Sequence, residues 1–195
     1  MNEFGFYWKI GWEHIISTGA ADHILFLIAL GVIYLPRNWK SVLILVTAFT
    51  IGHSATLLLS ATNTLRVPSN LVEFLIPLTI IVSALFSIFH RKQQPANLNA
   101  NYLIAIAFGL IHGLGFANSI RFMLMSEENI TVPLLSFNLG LETGQIVVVL
   151  WLLGLNYFFQ NKLRIKKEYY VLALSGITLI CAIVMAFQRI PLLAN

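Results

Sequence analysis

Five histidines and eight acidic residues are the side chains of this sequence best suited to acid–base or metal chemistry. His14, Asp22, His23, His53, Glu73, His112 and Glu142 stand out, because each falls in or at the edge of an apolar stretch. Imidazole mixed with carboxylate suits zinc, iron, cobalt, nickel or copper, whereas magnesium and calcium prefer shells of oxygen alone. Asp22 and Glu142 with neutral imidazoles would balance one divalent cation. Binding that displaces protons from such ligands releases them, a basis for proton-coupled transport.

The elements that must position these residues follow from composition. Of 195 residues, 58% are hydrophobic and 10% charged, with a mean hydropathy of +0.81. A soluble domain carries about 25% charged residues, so a soluble enzyme is excluded and lipid becomes the expected solvent. The apolar runs resolve into six segments at about 14–35, 41–63, 70–90, 101–123, 132–159 and 169–188. Turn-forming stretches separate them, among them Pro36-Arg37-Asn38, Arg66-Val67-Pro68, Arg91-Lys92-Gln93-Gln94-Pro95, Ser126-Glu127-Glu128-Asn129 and Asn161-Lys162. Lipid-exposed backbone must satisfy its own hydrogen bonds, and runs of this length without two-residue alternation form helices rather than barrel strands. The expectation is an all-α integral membrane protein, with residues 1–195 forming a single transmembrane domain of six helices in one bundle.

Eight of the twelve Lys and Arg fall after segments one, three and five: Arg37, Lys40, Arg91, Lys92, Lys162, Arg164, Lys166 and Lys167. Lys9, Arg66, Arg121 and Arg189 fall on the other side. The positive-inside rule then puts the first set in the cytoplasm and both termini outside it. Phe4, Phe6, Tyr7, Trp8 and Trp12 would form an interfacial foot on the outer face. No basic leader with an apolar core opens the chain. No aromatic–basic interleaving accompanies the formal charge of +4, so nucleic acid is not an expected partner. Cys181 alone permits no intramolecular disulfide. The sequence leaves homo-oligomerisation open.

An ionisable side chain inside a membrane segment costs about 2.5–3.5 kcal/mol at the centre and so marks a functional candidate. At about 1.5 Å of rise per residue, Asp22, His23, His53, His112 and Glu142 come out roughly 12–17 Å deep, near the bilayer midplane. His14 and Glu73 lie nearer the outer surface, where they could form an access station. Asn138, Glu142 and Gln145 share one helix face, as do His53, Thr56 and Ser60. On an unbroken helix His14 and His23 are opposed, although Ser17-Thr18-Gly19-Ala20-Ala21 could interrupt it. For Thr47, Thr50, Ser83 and Ser175, bonding to the helix backbone is the expected role. A three-plus-three inverted repeat would pair segment one with four and two with five. The detectable similarity, Phe49-Thr50-Ile51-Gly52-His53-Ser54 with Phe108-Gly109-Leu110-Ile111-His112-Gly113, pairs two with four instead.

Several blocks together resemble the HupE/UreJ family: Gly11-Trp12-Glu13-His14-Ile15, Asp22-His23-Ile24-Leu25-Phe26-Leu27, Phe49-Thr50-Ile51-Gly52-His53-Ser54, Val72-Glu73, Phe108-Gly109-Leu110-Ile111-His112-Gly113-Leu114-Gly115-Phe116-Ala117 and Phe137-Asn138-Leu139-Gly140-Leu141-Glu142-Thr143-Gly144-Gln145. The blocks run from residue 11 to 145 in the family's order. The usual Gly-x-Asp-His is here Gly19-Ala20-Ala21-Asp22-His23, one residue longer. The resemblance implies a small multispan permease for nickel or cobalt in a bacterial inner membrane. It assigns metal handling to His14, Asp22, His23, His53, His112 and Glu142. From their positions alone, Glu73, Asn138 and Gln145 are expected as supporting or entry residues, and a nickel, cobalt or zinc ion as substrate or bound ion. Two other readings compete. An intramembrane zinc-dependent hydrolase would use the same cluster to activate water, and a haem carrier would use His53 and His112 as axial ligands.

Overall fold

The structure is a computed structural model that describes residues 2–93, 98–124, 127 and 129–190. Gln94, Pro95, Ser126 and Glu128, placed in turns by the sequence, lie outside the described residues. The helices in chain order are α1 (Glu3–Ile16), α2 (Ala21–Gly31), α3 (Trp39–Ala61), α4 (Ser69–Phe89), α5 (Leu98–Leu124), α6 (Thr131–Tyr157) and α7 (Lys167–Arg189), with no strand among the described residues. Helices α3 to α7 are each long and apolar enough to cross a membrane, and each matches its predicted segment to within a few residues. The sixth candidate is α1 and α2 taken together, bent by 67° at the break between them.

That first segment is where expectation and structure part. The single segment expected over 14–35 is two helices, broken within the Ser17–Ala21 stretch that could interrupt it, and the first begins at Glu3. Its start is capped by Asn2, whose side chain accepts a hydrogen bond from the Gly5 amide at 3.0 Å. The aromatic residues expected as a foot are therefore helical: Trp8 and Trp12 stack one turn apart, and Phe4 and Phe6 are exposed. Tyr7 turns inward and donates a hydrogen bond to Glu127 at 2.7 Å. At Ser17 the chain becomes extended, a 3₁₀ turn over Thr18–Ala20 follows, and α2 starts at Ala21.

Contacts fix how the helices run. Phe4, Trp8, Gly11 and Ile15 of α1 meet Ser136, Gly140, Phe137 with Leu141, and Gly144 of α6 in the same chain order, so this pair is parallel. Phe49, Gly52, His53 and Ser60 of α3 meet Gly109, Ile106 with Leu110, Gly113 and Arg121 of α5, a second parallel pair. Helix α4 runs against α5, from Ser69 beside Asn118 to Thr79 beside His112. Helix α7 runs against α4, with Lys167 at Gln93 and Arg189 at Glu73. The first turns of α1 and the last turn of α7 thus lie at one end of the bundle.

The two parallel pairs close in the same way. Gly11 faces the Phe137 carbonyl and Leu141 amide, and Gly140 faces the Trp8 carbonyl and Trp12 amide. Gly52 faces the Ile106 carbonyl and Leu110 amide, and Gly109 faces the Phe49 carbonyl and His53 amide. In all four cases the contacts are three residues before and one residue after the partner's glycine. Only a residue without Cβ permits backbones this close. Gly11-Trp12-Glu13-His14 and Gly109-Leu110-Ile111-His112 share Gly-x-x-His, which matches α1 to α5 and hence α6 to α3. That is the pairing an inverted three-plus-three repeat requires.

Gly109→Ala should therefore destabilise the protein by about 1–3 kcal/mol, as overpacking does, because the new methyl overlaps the Phe49 carbonyl. Gly176→Ala, where a Cβ meets nothing within 4 Å, should leave stability unchanged or slightly raised. Thermal unfolding of both variants in detergent makes the comparison.

Candidate metal centre

The break after α1 decides the geometry of the site. His14 ends α1 and His23 opens α2, and the bend brings their rings to 4.7 Å between centroids. Helix α3 supplies His53, whose ring lies 5.9 Å from His14 and 6.0 Å from His23. One ring nitrogen from each of His14, His23 and His53 lies within 4.8 Å of the other two. His112 of α5 adjoins them, 5.2 Å from His23.

The hydrogen bonds leave imidazole nitrogens bare. Asp22 Oδ1 accepts from the His23 amide at 2.9 Å and lies 3.0 Å from His23 Nδ1. A proton on Nδ1 then leaves the His23 Nε2 lone pair free, and Nε2 is buried without a partner among the described residues. A carboxylate that orients a ligating histidine through its other nitrogen is a familiar support for metal ligands. Thr79 gives its proton to the Ile76 carbonyl at 2.7 Å, so its oxygen accepts from His112 Nε2 at 2.9 Å. His112 Nδ1 then holds a lone pair, and it too is buried without a partner. Both ring nitrogens of His53 and Nε2 of His14 are in the same condition. Unpartnered buried polar atoms are rare in folded proteins, and here one at least sits on each of four histidines.

A polar cavity of about 480 Å³ leads to the cluster, lined among others by His14, Asp22, His23, Glu73, His112 and Arg189. His53 sits behind the other imidazoles, wholly buried. Phe116 and Phe137 stack face to face at 5.1 Å and flank His14. The cavity so joins His14 and Glu73, expected as an access station, to the deeper residues.

Glu142 is not among them. It lines a separate cavity between α3 and α6 with Asn138, and accepts a hydrogen bond from Thr47 at 2.6 Å. Thr47 therefore serves a carboxylate rather than the backbone role expected of it. Gln145 is fully buried and accepts from Thr50 at 2.8 Å. The carboxylates that line the cavity before the cluster are thus Asp22 and Glu73, and Glu142 lines another.

Arg189 is the residue that sequence reasoning passed over, as a charge at a helix end. Pro77 lies inside α4 and has no amide hydrogen, so the Glu73 carbonyl four residues earlier lacks its helical donor. Arg189 Nη1 fills that vacancy at 2.7 Å and ties the end of α7 to the cavity wall. The proline in a membrane segment was the available signal, since the carbonyl it frees needs a donor from elsewhere.

A family model described as HupE / UreJ protein matches residues 1–189. No curated protein and no solved structure matches significantly.

Arg189→Ala should cost about 0.5–1.5 kcal/mol, the net worth of one hydrogen bond at a part-buried carbonyl. In a Pro77→Ala background, where an amide again serves the Glu73 carbonyl, the same substitution should cost much less. Chemical unfolding in detergent of the four proteins of this cycle gives the coupling. Equal costs in both backgrounds would show that Arg189 does not act through this carbonyl.

Proposed function

The chain belongs to the HupE/UreJ family, and on that basis we propose that it is a permease for a divalent transition-metal ion, nickel or cobalt, which passes through the imidazole cluster. The convergence of His14, His23 and His53 on one point carries this reading. Three nitrogen donors that close, with lone pairs unengaged, suit a borderline metal far better than magnesium or calcium. The ion is cargo, so the site must bind it without trapping it. His112 beside the triad offers a fourth donor to which the ion can be handed.

In this mechanism the cavity gathers the ion between Asp22 and Glu73, whose charges attract it, while Asp22 also holds His23 in the tautomer that exposes Nε2. His14, His23 and His53 then replace water molecules of its hydration shell. The location supports transport: the cluster lies between helices matched by the inverted correspondence, and His14 and His112 occupy equivalent places in it. Secondary transporters commonly bind substrate at such a repeat interface. The excess of Lys and Arg at the opposite end of the bundle supports a reading in which the cavity opens to the outside of a bacterial inner membrane.

Nickel or cobalt uptake into proteoliposomes tests this reading. His53→Ala and His14→Ala should each reduce uptake at least 10-fold, and Asp22→Asn should weaken metal affinity about 10–100-fold, as loss of an orienting partner does. Uptake equal to the parent protein in both histidine variants would refute the cluster as the path. Zinc-dependent hydrolysis without uptake of any divalent ion would favour the hydrolase.

A further inference from the structure

The polar cavity that reaches the imidazoles stops among them, and the rest of the bundle lies beyond. Part of their surround is shut by main chain. Gly109 and Gly113 bring α5 against the α3 backbone at Phe49 and His53, and Gly11 and Gly140 close α1 against α6. The side of α5 that faces α2 and α4 is different. There a second cavity, of about 60 Å³, is lined by Tyr34, Ser83, Ser87, Asn101 and Phe108 among others. Helix α4 gives the order of the two spaces. Glu73 and Ile76 line the polar cavity, Thr79 meets His112, and Ser83 and Ser87 line the smaller one. The imidazoles therefore stand between them.

Phe26, fully buried, separates the small cavity from the cluster. Its ring lies 5.1 Å from His112, 4.7 Å from Phe49 and 6.1 Å from Phe108, which lines that cavity. The walls are mostly apolar, with Val82 and Ile104 exposed on the rim, so an ion has no resting place there. One polar strip crosses them. Residues 79, 83 and 87 share a face of α4, and all three are buried. Ser83 donates to the Thr79 carbonyl at 2.9 Å and Ser87 to the Ala29 carbonyl of α2 at 2.7 Å, so both hydroxyl oxygens keep acceptor lone pairs. Water bound to a cation turns its hydrogens outward, and such oxygens accept them.

We infer that the small cavity is the inner passage of the metal path, and that Phe26, packed on His112 and Phe108, is its gate, closed in this structure. This rests on the permease reading. A narrow apolar constriction excludes water and ions until it widens, which suits a lining with few polar atoms. The inverted correspondence points the same way. His14 matches His112, and Phe137 matches Phe49, three residues before Gly140 and Gly52 respectively. His14 has Phe116 and Phe137 beside it, and Phe116 borders the open cavity. His112 has Phe26 and Phe49 beside it, and both are fully buried. Exchange of the two arrangements would shut the first cavity and open the second, as alternating access between inverted repeats requires.

Nickel uptake and thiol labelling of the full chain in sealed vesicles test the inference, with nickel content measured on the same proteins. Ser83→Phe, which fills the passage, should lower uptake at least 10-fold and keep nickel content at the parent level. Leu85→Phe, on the lipid side of the same helix, should change neither. Labelling uses a Cys181→Ser background, which removes the one native cysteine, and a membrane-impermeant cationic methanethiosulfonate. From the face that reaches Gly19→Cys in the polar cavity, Ser83→Cys should react at least 10-fold more slowly than Gly19→Cys. Phe26→Ala and Phe108→Ala should each raise the Ser83→Cys rate from that face at least 10-fold, and the lipid-exposed Phe122→Ala should not. Phe108→Ala decides the matter should Phe26→Ala fail to fold. Uptake in Ser83→Phe equal to that in Leu85→Phe overturns the inference, as does nickel loss in Ser83→Phe equal to that in His53→Ala. An unchanged labelling rate in the phenylalanine variants overturns it as well. A parent protein that takes up no divalent ion contradicts the permease reading instead, and the labelling rates alone then decide whether Phe26 closes the passage.

Discussion

Nine residues separate His14 from His23, and on a continuous helix they would point about 180° apart. The structure depends on not being continuous there. The extended Ser17, the 3₁₀ turn and the 67° bend fold α2 back so that the two rings meet at 4.7 Å. Such a break is expensive in lipid, where backbone groups released from a helix have no water to bond. It is tolerated where the backbone borders a polar cavity, and Ser17, Gly19 and Ala20 do line the cavity before the imidazoles. The other interruption, at Pro77, frees a carbonyl on the wall of the same cavity, where Arg189 meets it. One polar cavity therefore borders both irregularities and leads to the histidines.

A bend alone would leave the rings too far from α3. The glycine contacts supply closeness. Gly52, Gly109 and Gly113 hold α3 against α5 with backbone touching backbone or nearly so, and Gly113 leaves its room to Thr56 and the His53 carbonyl. Gly11 and Gly140 do the same for α1 and α6. The imidazoles are then carried by helices that cannot drift apart without losing these contacts. Phe26, Phe49 and Phe137, all fully buried, surround the cluster with apolar surface, which keeps competing hydrogen-bond partners away from the bare nitrogens.

Much of this was legible in the sequence, and the parts that were not share a cause. Five helices follow from apolar run length, and an expected depth for each polar residue from a fixed rise per residue. Depth, however, says nothing about which way a side chain faces around the bundle axis. Glu142 was therefore grouped with His53 and His112, although its face of α6 opens on α3 at Thr47 rather than on the rings. The sequence leaves open whether His14 is a ligand or an access residue, because the bend that brings it to His23 has only a small-residue stretch to announce it. The inverted correspondence was hidden because its signal is two pairs of glycines spread over four helices, not one run of similar residues. His14, His23 and His53, all expected as metal residues, are the three whose ring nitrogens lie within 4.8 Å of one another.

The central claim is that imidazoles, and not Glu142, hold the transferred metal. X-ray absorption spectroscopy of the nickel- or cobalt-loaded protein addresses it directly, since imidazole gives a characteristic outer-shell scattering that carboxylate lacks. The account predicts a first shell containing about three imidazole nitrogens, one of them lost in His53→Ala, and a spectrum unaltered by Glu142→Gln. An all-oxygen shell, or a spectrum that changes with Glu142→Gln and not with His53→Ala, would contradict it.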